Sequence, residues 1–557
     1  MTPSAAVRTS DRPTLVYLHA LGSSRDAFIE VASRLTSTFD VLGLDLPGFG
    51  DEAPRGAATV EEIVEFVVSR IAFASPSRWL LVGHSMGGKI ASLVAARALS
   101  GEAPVFGLAG VVLLAGSPVS PEPMEEERRQ RMIGWAESGP VTGEDARTFI
   151  SANTAGPLPP SADALVVRDL ARTDASAWVA WLRRGSEEDW SASVEPLELP
   201  ALIVSGSDDG DLGPQAQTAL NGPLYPRARF DVIEGAAHLL PLEKPDEIAA
   251  VIASFWGEVA GVGPAVPRGT AALIASSHTS ARTRGILARR SVADDPSYSP
   301  QVLTVEAFRT LRAVADRVVP QEGERIDLAA RLDAQLHAGT GDGWRNAGLP
   351  ADREAYALAL EGLHGFEELP ADEQDERLRA VADSRWEPPG ARLSPSQFAD
   401  WFEDARADLA RHWLAHPASM ARVGFDGFAT GGDGVRKQGF QLLAAGTREA
   451  WEPRPGGAPG RARHAAVDLG SSGAPGGDAG SMLSHAPSHG APSHGAPSHG
   501  APSHGAPSHG APSAGAPSAH SASAAGLRTG GDASADRVGG SAGATRASAG
   551  NEGGAEE

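Results

Sequence analysis

The segment Trp79–Ala91, Trp-Leu-Leu-Val-Gly-His-Ser-Met-Gly-Gly-Lys-Ile-Ala, constrains the fold of this chain more than any other stretch. The apolar run Trp79–Val82 reads as a buried strand, and the residues from Met86 onward read as a helix. Between them stands a Gly-x-Ser-x-Gly pattern, Gly83 to Gly87. A strand can pass straight into a helix only through a tight turn with strained dihedrals, and small residues at 83 and 87 let the chain pass closely there. Ser85 then projects at the end of a sheet and at a helix N-terminus, where the dipole favours negative charge. The same five residues without these flanks would be an ordinary Gly-Ser turn.

The surrounding sequence repeats this strand-and-helix rhythm. Across residues 12–260, strand candidates fall at Thr14–Leu18, Val41–Leu44, Trp79–Val82, Gly110–Leu114, Ala201–Val204 and Phe230–Ile233. Their continuous aliphatic runs suit strands buried on both faces, and helical patterns separate them, so a mainly parallel sheet flanked by helices is expected. One such helix has Val60, Ile63, Val64, Val67 and Ile71 on one stripe, with Thr59 as its N-cap. The rhythm stops at about 117–196. This insert is rich in Arg, Glu and Trp (Trp135, Trp178, Trp181, Trp190) and reads as helical. It is too long for an idle loop, so a lid over a pocket is expected, with the tryptophans packing the insert.

The rest of the chain changes character twice. Residues 261–300 lose periodicity and read as a linker, in which Arg289-Arg290 is solvated charge. Residues 301–453 read as all-helical. Thr304 caps a helix bearing Phe308, Leu311, Val314 and Ala315, and further helices are expected near 326–337, 352–363, 372–383 and 396–415. Residues 454–557 are low in complexity. A Pro-Ser-His-Gly-Ala repeat places His489, His494, His499, His504 and His509 five apart, and so little apolar surface implies a disordered tail.

Composition excludes several classes. The 557 residues carry a net charge of −22 and no clustered Lys or Arg, which argues against nucleic acid and an anionic membrane surface as partners. There is no cysteine, so disulfides, thiolate nucleophiles and Cys-ligated metals are out. No apolar signal core precedes the first strand, and no run reaches the roughly 18 apolar residues of a spanning helix. The strongest, Ile248–Val262, is broken by Glu258. The reading is a soluble, cytoplasmic chain that needs no metal or cofactor.

Ser85 as a nucleophile requires a base, because a serine hydroxyl is weak at its own pKa. His238 lies just past the strand candidate at 230–233, in a loop. A base requires an acid to fix its tautomer. Carboxylates follow the strand at 201–204, namely Asp208, Asp209 and Asp211, and the residues alone do not separate them. The order Ser, Asp, His is the one an α/β-hydrolase uses.

Taken together, these residues resemble the α/β-hydrolase family over 12–260. The resemblance implies that Asp209, the third residue after Gly206, is the acid, and that Gly235–Pro245 is the histidine loop. Leu15–Gly22 is similar to the family's first oxyanion segment, with His19-Ala20 where the family has His-Gly. The implied oxyanion donors are the amides of Leu21 and Met86. Asp45–Gly50 resembles a structural turn of the family, and His19 and His84 are expected to serve as hydrogen-bonding residues. The implied activity is cleavage of a carboxylic ester, thioester or lactone through an acyl-enzyme on Ser85.

Leu311–Pro320, Gly424–Phe428, Gly439–Leu443 and Trp451–Pro453 resemble the gluconate 2-dehydrogenase subunit 3 family over 303–453. That resemblance implies a flavoprotein dehydrogenase as partner. It also opens a second reading, in which the chain is a non-catalytic small subunit or scaffold for a glucose–methanol–choline oxidoreductase.

Overall fold

The computed structural model describes residues 12–341, 346–434 and 441–452. All of them belong to one compact unit, 1–466. The histidine repeats at 489–509, the Gly439-Phe440 pair and the tail at 454–557 lie outside the described residues.

All six expected strands form, most of them a residue or two longer than the apolar runs. They are β1 (Thr14–Leu18), β2 (Asp40–Leu44), β3 (Trp79–His84), β4 (Leu108–Leu114), β5 (Ala201–Gly206) and β6 (Ala228–Ile233). They build one parallel sheet in the order β2-β1-β3-β4-β5-β6. Side chains alternate between its faces. Val16, Leu18, Trp79, Leu81, Val111, Leu113 and Ile203 face one apolar core. Leu15, Tyr17, Leu80, Val82, Val112, Leu114 and Val204 face the other, against Phe28, Val31, Ile248, Ile252 and Phe255. Burial on both sides is why these strands read as continuous rather than alternating apolar runs.

The strand order decides where a site can form. The chain runs from β1 outward to β2, then returns past β1 to β3. The carboxyl ends of β1 and β3 therefore open a crevice where the winding reverses, which is where ligands bind in open α/β sheets. Leu18 pairs with Gly83, Gly83 with Leu113, and Gly206 with Ile233. The loops that follow β1, β3, β5 and β6 are thus gathered on one edge.

Local capping follows the sequence closely. Thr59 caps the helix Val60–Ala74 through a full capping box with Glu62. Thr304 caps Val305–Val318. The insert is helical, with helices at 126–134, 143–152, 160–172 and 175–180. Trp178 is fully buried within it, donates its indole N–H to the Met132 carbonyl at 2.8 Å and meets Phe149 edge-on. Trp178→Ala should lower unfolding stability by about 3–5 kcal/mol, through the cavity it leaves and the freed carbonyl. Urea unfolding of the variant against wild type measures this.

The expected linker is a correction. Within 261–300 the chain forms helices at Arg268–Ala275 and Ala281–Ser291, and Leu273, Ile274 and Leu287 are buried. Arg284 is 5 % exposed and donates to the carbonyls of Gly101, Ile274, Ser276 and Thr279. Arg289 and Arg290 are exposed, as their reading as solvated charge expects, and Arg289 also donates to the Leu99 carbonyl at 2.8 Å, near the end of the helix Met86–Ser100. Cations suit helix C-termini, where the last carbonyls lack partners. The helices escaped notice because polar side chains that satisfy backbone groups interrupt their apolar period.

Among the described residues from 301 onward, helices lie at 305–318, 328–338, 352–361, 371–382, 395–415 and 417–422. The first five enclose a separate core that includes Phe308, Leu311, Leu332, Phe366, Phe398 and Trp401, whereas Ala418, Met420, Phe428 and Ala429 pack on the core that Val16 and Trp79 face. Among the described residues, no helix is long and apolar enough to cross a membrane.

Candidate active site

Ser85 stands between β3 and the helix Met86–Ser100 with φ 50° and ψ −120°. A non-glycine residue pays strain for that conformation, which the surroundings must impose. They do so by hydrogen bonds and close packing. The Ser85 N–H donates to the Leu114 carbonyl at 3.0 Å, and its carbonyl accepts from Gly88 and Ser117. A Cβ on Gly83 would sit 2.4 Å from the Gly87 carbonyl oxygen, and one on Gly87 would sit 2.4 Å from that of Leu18. Both positions therefore require glycine, as the turn demands.

The loop after β5 presents Asp209 to the loop after β6. The Asp209 carboxylate accepts the Nδ1–H of His238 at 2.8 Å, and its other oxygen accepts the backbone N–H groups of Asp211 and Leu212. The two other carboxylates are directed elsewhere. Asp208 accepts from the Ser207 hydroxyl, and Asp211 pairs with Arg128 of the insert. Burial alone would raise the Asp209 pKa, but the bonds from His238 and the two amides hold it below the ordinary carboxylate value. Burial likewise opposes charge on His238, yet Asp209 prevails and lifts the imidazole above its ordinary value.

The neighbouring imidazoles are neutral hydrogen-bonding groups. The Leu46 N–H donates to Nε2 of His19, so its Nδ1–H donates to the Ala20 carbonyl. Burial lowers its pKa. His84 donates its Nε2–H to the carbonyl of His238 at 2.8 Å, and burial takes its pKa down to about 3. His84 thus tethers the histidine loop through its backbone. Asp45 accepts from the amides of Arg25 and Asp51, which holds the turn at 45–50.

Ala20, where a glycine was the family habit, does not have a positive φ, so its methyl group fits. Leu21 and Met86 are both buried, and neither amide donates to another group among the described residues. Ser85, Asp209, His238 and Leu21 line a cavity of about 110 Å³, roofed by Met124, Met132, Phe149 and Trp181 of the insert.

Three contributors went unread in the sequence. The Asn153 carbonyl, at the end of an insert helix, accepts the amides of both His238 and Leu239 at 3.1 Å. Lys89, on the helix after Ser85, is fully buried and donates to the carbonyls of Gly185, Ser186 and Glu188. Burial brings its pKa down to about 8. Glu122 lines the cavity and accepts from the Ser117 hydroxyl at 2.6 Å. No local pattern marks any of them: the partners of Asn153 and Lys89 lie in distant segments, and Glu122 meets the cavity only once the insert has folded.

Comparison with known proteins places the chain. Residues 15–251 match the model of the alpha/beta hydrolase family. The chain is 30 % identical over 268 residues to a pimeloyl-[acyl-carrier protein] methyl ester esterase of Sodalis glossinidius, which covers 44 % of this chain and 94 % of that protein. It is 27 % identical over 254 residues to a 2-succinyl-6-hydroxy-2,4-cyclohexadiene-1-carboxylate synthase of Serratia proteamaculans, covering 44 % and 94 %. A solved thermophilic esterase from Thermogutta terrifontis is 24 % identical, with a TM-score of 0.38 over 44 % of this chain and 90 % of that one. Through its first half, this chain belongs to the alpha/beta hydrolase family.

Proposed function

We propose that this protein hydrolyses an ester bond, whether carboxylic ester, thioester or lactone, through an acyl-enzyme on Ser85. The observation that carries the reading is the Asp209–His238 hydrogen bond of 2.8 Å in the cavity that Ser85 also lines. Asp209 holds the proton on Nδ1 and leaves the Nε2 lone pair free to act. The Ser85 oxygen attacks the substrate carbonyl carbon while His238 Nε2 takes its proton. The amides of Leu21 and Met86 receive the oxyanion. His238 then returns the proton to the departing alcohol or thiol. Water repeats the sequence on the acyl-enzyme and frees Ser85. The chain's own residues supply every group in this scheme, and names of relatives that include an esterase agree with it.

Labelling with a fluorophosphonate tests the reading. Wild type should be labelled and Ser85→Ala should not; absence of labelling in wild type would favour the scaffold reading. The raised His238 pKa adds a pH dependence. Only the neutral imidazole accepts the serine proton, so kcat/KM on a neutral ester should fall on the acid side with a midpoint above 6.5. A midpoint below that value would mean that Asp209 is not holding His238 in solution.

The sequence resemblance of 303–453 supports one further part of the proposal, that these helices dock a flavoprotein dehydrogenase. Co-purification from native extract tests it. Tagged full-length protein should retain a yellow, flavin-containing partner, and a colourless eluate would remove this part while leaving the hydrolase reading intact.

A further inference from the structure

The cavity around Ser85 has an unbalanced charge. Four carboxyl groups line it, those of Glu122, Asp208, Asp209 and Asp211, and the one guanidinium is that of Arg128. Arg128 is already paired with Asp211. Asp209 is held by His238, which is neutral when it acts as a base. Among the described residues the Asp208 carboxylate accepts from the Ser207 hydroxyl alone, and it is exposed at the cavity mouth.

Glu122 is the least exposed residue of the set. It is 9 % exposed, and its carboxylate accepts from Ser117, whose amide in turn donates to the Ser85 carbonyl. Besides His238, the charges of Lys89 and Arg129 act on it, and both of these donate to groups outside the cavity lining. Lys89 donates to three carbonyls. Arg129 binds Glu187, the Leu182 carbonyl and the Ser186 hydroxyl. An anionic group entering beside Ser85 would therefore lose its water and meet carboxylates without a free cation among the described lining residues. A pocket discriminates by such unpaired like charge as much as by attraction.

We infer that this cavity accepts esters with an uncharged or cationic acyl chain and rejects those whose acyl chain ends in a carboxylate, with Glu122 as the specificity-determining residue. The inference rests on the ester-hydrolase reading and narrows its substrate class. Arg128 and Asp211 form the complementary element. As long as they are paired, the cavity has no anion anchor.

Three methyl esters of equal chain length separate the cases. Methyl pentanoate is neutral, monomethyl glutarate replaces its terminal methyl by a carboxylate, and γ-butyrobetaine methyl ester replaces it by a trimethylammonium. Wild-type kcat/KM, read from methanol release at alkaline pH where Glu122 is ionised, should be at least about 10-fold lower for monomethyl glutarate than for methyl pentanoate, and γ-butyrobetaine methyl ester should match or exceed the neutral ester. Glu122→Gln should narrow the ratio between neutral and anionic esters. Asp211→Asn, which frees Arg128, should narrow it by a separate route. Equal or preferential turnover of monomethyl glutarate by wild type overturns the inference, as does a ratio that neither variant moves. Turnover of none of the three esters, or turnover that survives Ser85→Ala, would instead sink the hydrolase reading beneath it.

Discussion

Ser85→Ala is expected to lower kcat on an activated ester by about 10⁴–10⁶-fold while leaving the fold intact. The size of the effect follows from the elbow. The backbone of residue 85 is held by the Leu114 carbonyl and by the amides of Gly88 and Ser117, all of which bind main-chain atoms. The side chain contributes only its oxygen, so its removal deletes the proposed nucleophile without disturbing the turn. An alanine tolerates the dihedrals as serine does, because both carry one Cβ. Steady-state kinetics with circular dichroism on the same preparation measures both halves. Turnover within tenfold of wild type would show that Ser85 is not the nucleophile.

Asp209→Asn carries the second large expectation, a fall of about 10⁴-fold in kcat. The asparagine amide can offer N–H groups to His238 Nδ1, which then becomes the acceptor, and the proton moves to Nε2, where the base is needed. Asp208→Asn and Asp211→Asn should be mild beside it. Asp208 meets a serine hydroxyl and Asp211 a partly exposed arginine, and an exposed ion pair contributes about 1 kcal/mol or less. Kinetics on a neutral ester decides among the three. A crippled Asp211→Asn enzyme with a vigorous Asp209→Asn one would reverse the assignment.

The ordering of the three carboxylates shows where reading a sequence stops. Asp208, Asp209 and Asp211 follow the same strand and share one residue type, so local chemistry treats them alike. They differ in direction. The turn after β5 uses one Asp209 oxygen to accept two of its own amides, which fixes the carboxylate and points the other oxygen at His238. That His238 waits there depends on β6 lying next to β5, on the Asn153 carbonyl that accepts its amide, and on His84 bonded to its carbonyl.

Residues 261–300 teach a related lesson about helices. A periodic apolar stripe announces a helix whose stability comes from burying that stripe. The helices at 268–275 and 281–291 hold their place partly by other means, with Arg284 and Arg289 donating to carbonyls of residues near 100. Such bonds join segments far apart in sequence and leave no period behind. The Glu122 carboxyl is the same case at the site. It reads as one acid among many in the insert, and only the folding of the insert over Ser85 makes it a wall of the cavity.

What the sequence determined by itself is therefore what short-range physics controls: six apolar strands, the glycines that a strand-to-helix turn needs around Ser85, the caps at Thr59 and Thr304, and the helices described between 305 and 422. Each depends on sterics and burial within a few residues along the chain. The tertiary structure turned Asp209, which local chemistry could not separate from its neighbours and only the family resemblance singled out, toward His238; it alone decided that 261–300 packs as helices and that the cavity is walled by Glu122 with Arg128 already paired. Those outcomes depend on which strand neighbours which, because hydrogen bonds and charge pairs act over a few ångströms in space, whatever the distance along the chain.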